Sequence, residues 1–78
     1  MVVNESPYIR YIHKTSRGRW VVAEYDKALE SYTAPMSLRE RQRTGLRKMS
    51  TQNLDDLERI SYSNRASALR RAMHEFGG

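Results

Sequence analysis

The sequence contains no cysteine, which excludes a disulfide staple, a thiolate metal site and a cysteine nucleophile, and fits a reducing compartment. Only His13 and His74 remain as imidazole ligands, so no zinc or other metal centre is expected. No apolar run approaches the roughly 18 residues needed to cross a bilayer. The opening MVVNESPYIR lacks the basic-then-apolar layout of a secretory signal. The reading is a soluble, cytoplasmic chain with no membrane partner.

Catalytic patterns are missing too. There is no nucleophile elbow and no phosphate-cradling glycine loop, and Asp55 and Asp56, adjacent on a helix, would diverge by about 100°. His13 stands near Arg17 and Arg19, where a metal-free RNA-cleaving base could sit, but a lone histidine beside a turn reads first as a surface residue. The expectation is a non-enzyme without a cofactor.

What the chain does have is positive charge. Fourteen Lys and Arg against nine Asp and Glu give 78 residues a net charge of +5. The sequence pI near 10.0 exceeds the rough threshold of 9 that marks nucleic-acid-binding domains. The excess is concentrated in residues 37–50, where Arg39, Arg41, Arg43, Arg47 and Lys48 face a single carboxylate, Glu40. A chain this short buries only about 60% of its unfolded surface, so one domain with a small core is expected over 1–78.

Local signals predict an α+β fold: an N-terminal β-hairpin over about 8–25, then a small bundle of three to four short helices. Residues 1–6 show no periodicity and read as a frayed end. YIRYIH (8–13) and WVVAEY (20–25) are rich in aromatic and β-branched residues, and Gly18 between them suits a tight loop. Trp20, Val22 and Glu24 alternate with Val21, Ala23 and Tyr25, so neither strand face is clearly the wet one. Asp26–Tyr32 fits a short helix capped by Asp26 and stopped before Pro35. Ser37-Leu-Arg-Glu40 matches a capping box and predicts a helix over 37–49, on which Arg39, Arg43 and Arg47 form a row and Gly45 is a weak point.

Asn53 then caps a helix with Leu54, Leu57 and Ile60 inward, and Ser63 or Asn64 caps a last helix that stops at Gly77. Its stripe of Ala66, Leu69, Met73 and Phe76, added to the preceding leucines, exceeds what one small chain is expected to cover and predicts a possible homodimer. Residues 54–76 thus have the proportions of a helix-turn-helix, in which Asn64, Arg65, Ser67, Ala68 and Arg71 would be presented to the major groove, Asn and Arg being the types that contact base edges. SNRASALRRAMHEF also resembles, in outline, the second helix of ribbon-helix-helix repressors, which implies DNA binding. The helix before it is several residues shorter than that family's, and RTGLRKM favours helix where the family has its reading ribbon.

Like charges one turn apart cost an isolated helix roughly 0.2–0.5 kcal/mol per pair, so a retained arginine row suggests contacts to a polyanion. The functional expectation is a small regulatory nucleic-acid-binding protein, DNA favoured, that holds backbone phosphates through Arg39, Arg41, Arg43, Arg47 and Lys48. Arg17 and Arg19 in the hairpin loop, with Arg65 and Arg71, complete the candidate set. The competing expectation is an adaptor whose basic face docks on an acidic protein surface. Trp20 reads as the main core anchor, or else as a stacking platform.

Overall fold

The computed structural model describes residues 5–77. The part of the frayed-end reading that concerns residues 1–4 lies outside them. Pro7, at the start of a helix where a missing N–H costs nothing, opens the 3-10 helix η1 (Ser6–Tyr11), so YIRYIH is only partly strand. Next come β1 (Ile12–Lys14) and β2 (Trp20–Val22), an antiparallel hairpin in the register Ile12↔Val22, His13↔Val21 and Lys14↔Trp20. Its loop is closed by the Thr15 N–H donating to the Arg19 carbonyl at 2.7 Å, with Gly18 at φ 80°.

Both faces of β2 are buried, which explains why its sequence shows no wet side. Val22 packs with Ile12, Ala68, Leu69 and Ala72, flanked by Trp20, Tyr62 and Phe76. Val21, pointing the other way, packs with Ala23, Ala34 and Leu57. Complete burial of a Val or Leu side chain contributes about 1.5–3 kcal/mol, so this one strand anchors two small cores.

Helices follow the hairpin as expected, but a second sheet is interleaved with them. It has the order β3-β4-β5, with β3 (Glu24–Asp26), β4 (Ser31–Pro35) and β5 (Lys48–Thr51) all antiparallel. The helix predicted over Asp26–Tyr32 is a hairpin turn. Asp26 Oδ1 does accept from the N–H groups of Ala28 and Leu29, as a helix cap would, but Glu30 adopts φ 49° and sends the chain back as β4.

The helix predicted over 37–49 is likewise shorter. Ser37 caps it as expected, accepting from the Glu40 N–H, but α1 runs only Leu38–Thr44. Gly45 at φ 75° ends it, its N–H donating to the Arg41 carbonyl at 2.7 Å. A left-handed backbone is cheap only for glycine, so the residue that weakens a longer helix here terminates a short one. Freed from the helix, Lys48–Thr51 joins the sheet, with Met49 opposite Ala34.

The 3-10 helix η2 (Leu54–Ile60) and α2 (Arg65–Phe76) carry the expected caps, Asn53 and Asn64, whose side chains accept from the Asp55 and Ser67 N–H groups. They do not share a core. Leu57 belongs to the Val21 side of β2, and Ala68, Leu69 and Ala72 to the Val22 side. Of the apolar residues that suggested self-association, Leu57 and Leu69 are buried within the chain, Leu54, Ile60, Met73 and Phe76 are half-buried, and Ala66 is exposed. Among the described residues no helix is long and apolar enough to cross a membrane.

Candidate functional site

The expected arginine row is split by the end of α1 at Thr44. Arg43 donates to Glu40 Oε2 at 2.6 Å, and Arg59, from η2, reaches the same oxygen at 3.3 Å. Hydrogen bonding from Arg43, with the added fields of Arg59 and Arg39, holds the Glu40 carboxyl below its ordinary value. Arg43 is therefore paired within α1, and Arg59 supplies the tie between α1 and η2.

Arg41 and Arg47 go elsewhere. Arg41 Nε donates to the Met36 carbonyl at 3.0 Å, which fixes the stem of the side chain, and the Met36 N–H donates to the Arg47 carbonyl at 2.9 Å. These bonds bring the segments before and after α1 together. With Lys48, Arg41 and Arg47 line an open cavity of about 270 Å³ floored by Pro35 and Phe76. Glu24 and Glu75 also line it, but Glu75 Oε1 already accepts from Arg71 at 2.6 Å. Arg39 lies exposed on α1.

The remaining predicted site residues divide in the same way. Arg19 is structural: its Nε donates to Ser61 Oγ, its Nη2 to the Ser61 carbonyl at 3.1 Å, and Glu58 lies 3.6 Å away. Arg17 is exposed at the tip of the hairpin loop. That loop is docked on η2 by Asp55, which accepts from the Ser16 N–H at 3.0 Å and hydroxyl at 2.6 Å and is thereby held below its usual carboxyl range. Arg65 lies over the Trp20 ring at 5.9 Å, and Lys14 at 5.8 Å, so two cations stand against the half-buried indole. Arg71 is held by Glu75, and the Asn64 side chain is occupied in capping α2. Of the residues expected to face the groove, Asn64 and Arg71 are thus engaged within the fold and Ala68 is buried in the core, which leaves Arg65 and Ser67.

Of fourteen Lys and Arg, four (Arg19, Arg43, Arg59 and Arg71) form ion pairs among the described residues. Arg39, Arg41, Arg47 and Lys48 do not, and all four are exposed. The cluster contains Arg41, Arg47 and Lys48 as the sequence suggested. Its apolar floor, Pro35 and Phe76, was not legible, because those residues lie 41 positions apart and meet only through the sheet and the end of α2.

His13 is spoken for. Its Nε2 donates to the Ala23 carbonyl at 3.0 Å and its ring meets Tyr32 edge-on at 5.1 Å, while burial pushes its pKa down. Comparison with protein-family models, with curated proteins and with solved structures finds no match for this chain.

Proposed function

We propose that this chain is a small nucleic-acid-binding protein, DNA favoured and regulatory in role, that holds backbone phosphates through Arg39, Arg41, Arg47 and Lys48, assisted by Lys14 and Arg17 of the hairpin loop. The observation that carries the reading is the sorting of the arginines. Arg19, Arg43, Arg59 and Arg71 are paired with carboxylates, whereas Arg41, Arg47 and Lys48 form no ion pair among the described residues and line one cavity, and Arg39 is exposed on α1. Unpaired guanidinium and ammonium groups on a fixed backbone suit phosphate oxygens, which take bidentate Arg contacts. Engagement of Asn64 and Arg71 within the fold favours sequence-tolerant backbone binding over base reading by α2.

The test is electrophoretic mobility shift against random duplex DNA across a salt series. Four phosphate contacts predict a slope of log K against log salt of about −3 to −4. R41E/R47E/K48E abolishes the shift, whereas Arg43→Ala, which removes a cation already paired with Glu40 within α1, leaves it nearly unchanged. Binding that is indifferent to salt, or equal loss from Arg43→Ala and the triple variant, would rule the reading out.

A further inference from the structure

A second cavity shares Pro35 with the cationic one and is built differently. Its volume is about 190 Å³, and Val22, Pro35 and Ile60 form its floor where α1, η2 and α2 come together. Val22 belongs to one core and Ile60 packs against the other, so the floor follows the seam between them. α1 buries no residue of its own and leaves this apolar seam open.

Polar groups converge over the floor from three elements. Ser37 and Glu40 come from the start of α1, Arg59 from η2 and Arg71 from α2. Each arginine meets one carboxylate oxygen through Nη2, Arg59 that of Glu40 at 3.3 Å and Arg71 that of Glu75 at 2.6 Å. A guanidinium has five N–H donors in a fixed fork, so both keep donors for a further acceptor.

The charge balance favours an anion. Glu40 is met by Arg43 at 2.6 Å as well as by Arg59, and Glu75 lines the neighbouring cavity and not this one. Counting these partners, Arg43, Arg59 and Arg71 stand against Glu40 and Glu75, an excess of one positive charge. Glu40, the one carboxylate in the lining, is held ionised below its ordinary range by the same arginines and is compensated by them.

Size and lining together select the ligand. An apolar cavity of about 150 Å³ holds benzene, so one of about 190 Å³ holds a ring-sized apolar body bearing a single carboxylate. Inorganic phosphate would leave the floor of Val22, Pro35 and Ile60 uncovered, and a neutral hydrocarbon would leave the guanidiniums without an acceptor. We propose that this cavity binds a small carboxylic acid with a compact apolar body, the carboxylate between Arg59 and Arg71 and the body on Val22, Pro35 and Ile60. The site does not depend on the nucleic-acid reading above.

The experiment is a two-dimensional proton–nitrogen NMR titration of the full chain with benzoate as the probe, benzyl alcohol as its uncharged counterpart and acetate as a carboxylate without the ring. Benzoate is expected to saturate with a Kd of about 0.1–1 mM and to move the amides of Val22, Ile60, Ser61 and Tyr62, with both controls at least about ten-fold weaker. Arg59→Gln, at a side chain 51% exposed, should weaken benzoate about ten-fold. Arg43→Gln, which removes a partner of Glu40 from outside the cavity, should change it by less than about two-fold, and circular dichroism checks that both variants fold. Shifts that rise linearly without saturation, either control binding as tightly as benzoate, or unaltered affinity in Arg59→Gln overturns the proposal. Saturating shifts confined to Arg47 and Lys48 place the acid in the cationic cavity and overturn it as well.

Discussion

The two α-helices of this protein are built to opposite ends. α2 has twelve residues, buries Ala68, Leu69 and Ala72, and has its basic Arg71 tied to Glu75. α1 has seven, buries none, and leaves Leu38 68% exposed. Both begin at well-formed caps, so local sequence signals do not separate them. What separates them is whether an apolar stripe meets a strand. Leu69 is met by Val22 and Ile12, whereas α1 is held by polar ties, Arg41 to Met36 and the Arg43–Glu40–Arg59 cluster. A helix fastened by charge and hydrogen bonds can present its remaining arginines outward, and a helix fastened by its apolar stripe becomes core.

The largest expected break in that contrast comes from truncating leucines. Leu69→Ala should cost about 2–5 kcal/mol of unfolding free energy, from lost burial and the cavity left behind. Leu38→Ala should cost less than about 0.5 kcal/mol, as for an exposed surface position. Urea denaturation of the two variants decides the matter, and comparable losses would show that α1 is packed as firmly as α2.

Caps give a smaller and sharper comparison. Asn64→Ala should lower stability by about 1 kcal/mol, since it orphans a backbone donor at the start of a helix coupled to the core. Ser37→Ala, at a helix with no buried residue, should fray α1 without moving the global transition. Native-state hydrogen exchange would then show lost protection confined to α1, and accelerated exchange in α2 as well would contradict it.

The smallest effect is on pH dependence. His13 is held below its ordinary 6.5 by burial, so the folded state favours the neutral ring. That contribution is fully present above pH 6.5 and is lost as pH falls through the lowered folded value. Glu40 and Asp55 are depressed below 4.5 and 3.8, so their contributions persist to lower pH and disappear as pH falls through their folded values. Thermal melts should therefore show a shallow decline beginning below pH 6.5 that His13→Gln removes, and a second one below 4.5 that Glu40→Gln reduces. A decline below 6.5 that persists in His13→Gln would displace His13 as its source.

Much of the local structure was legible because it rests on interactions a few residues apart. Gly18, Ser37, Asn53 and Asn64 are all where short-range signals place them, since a capping side chain and a positive φ are satisfied locally. The same short range misled at Asp26, because an oxygen accepting from the next N–H groups serves a turn and a helix start alike. At 45–49 the helix predicted from the Ser37 capping box was carried past Gly45, which stops it, because nothing local shows that Met49 has Ala34 to meet.

The sequence by itself determined the mixed α+β class, the hairpin around Gly18, the cap positions and the concentration of positive charge between Arg39 and Lys48. Only the tertiary structure decided which of those cations are available. Arg43 and Arg71 meet carboxylates one helical turn away, but Arg59 and Arg19 are paired only because the fold brings Glu40 and Glu58 to them from 19 and 39 positions off in the chain. It decided too that β2 is buried on both faces, because burial is a property of what packs against a strand, and here η2 and α2 approach it from opposite sides.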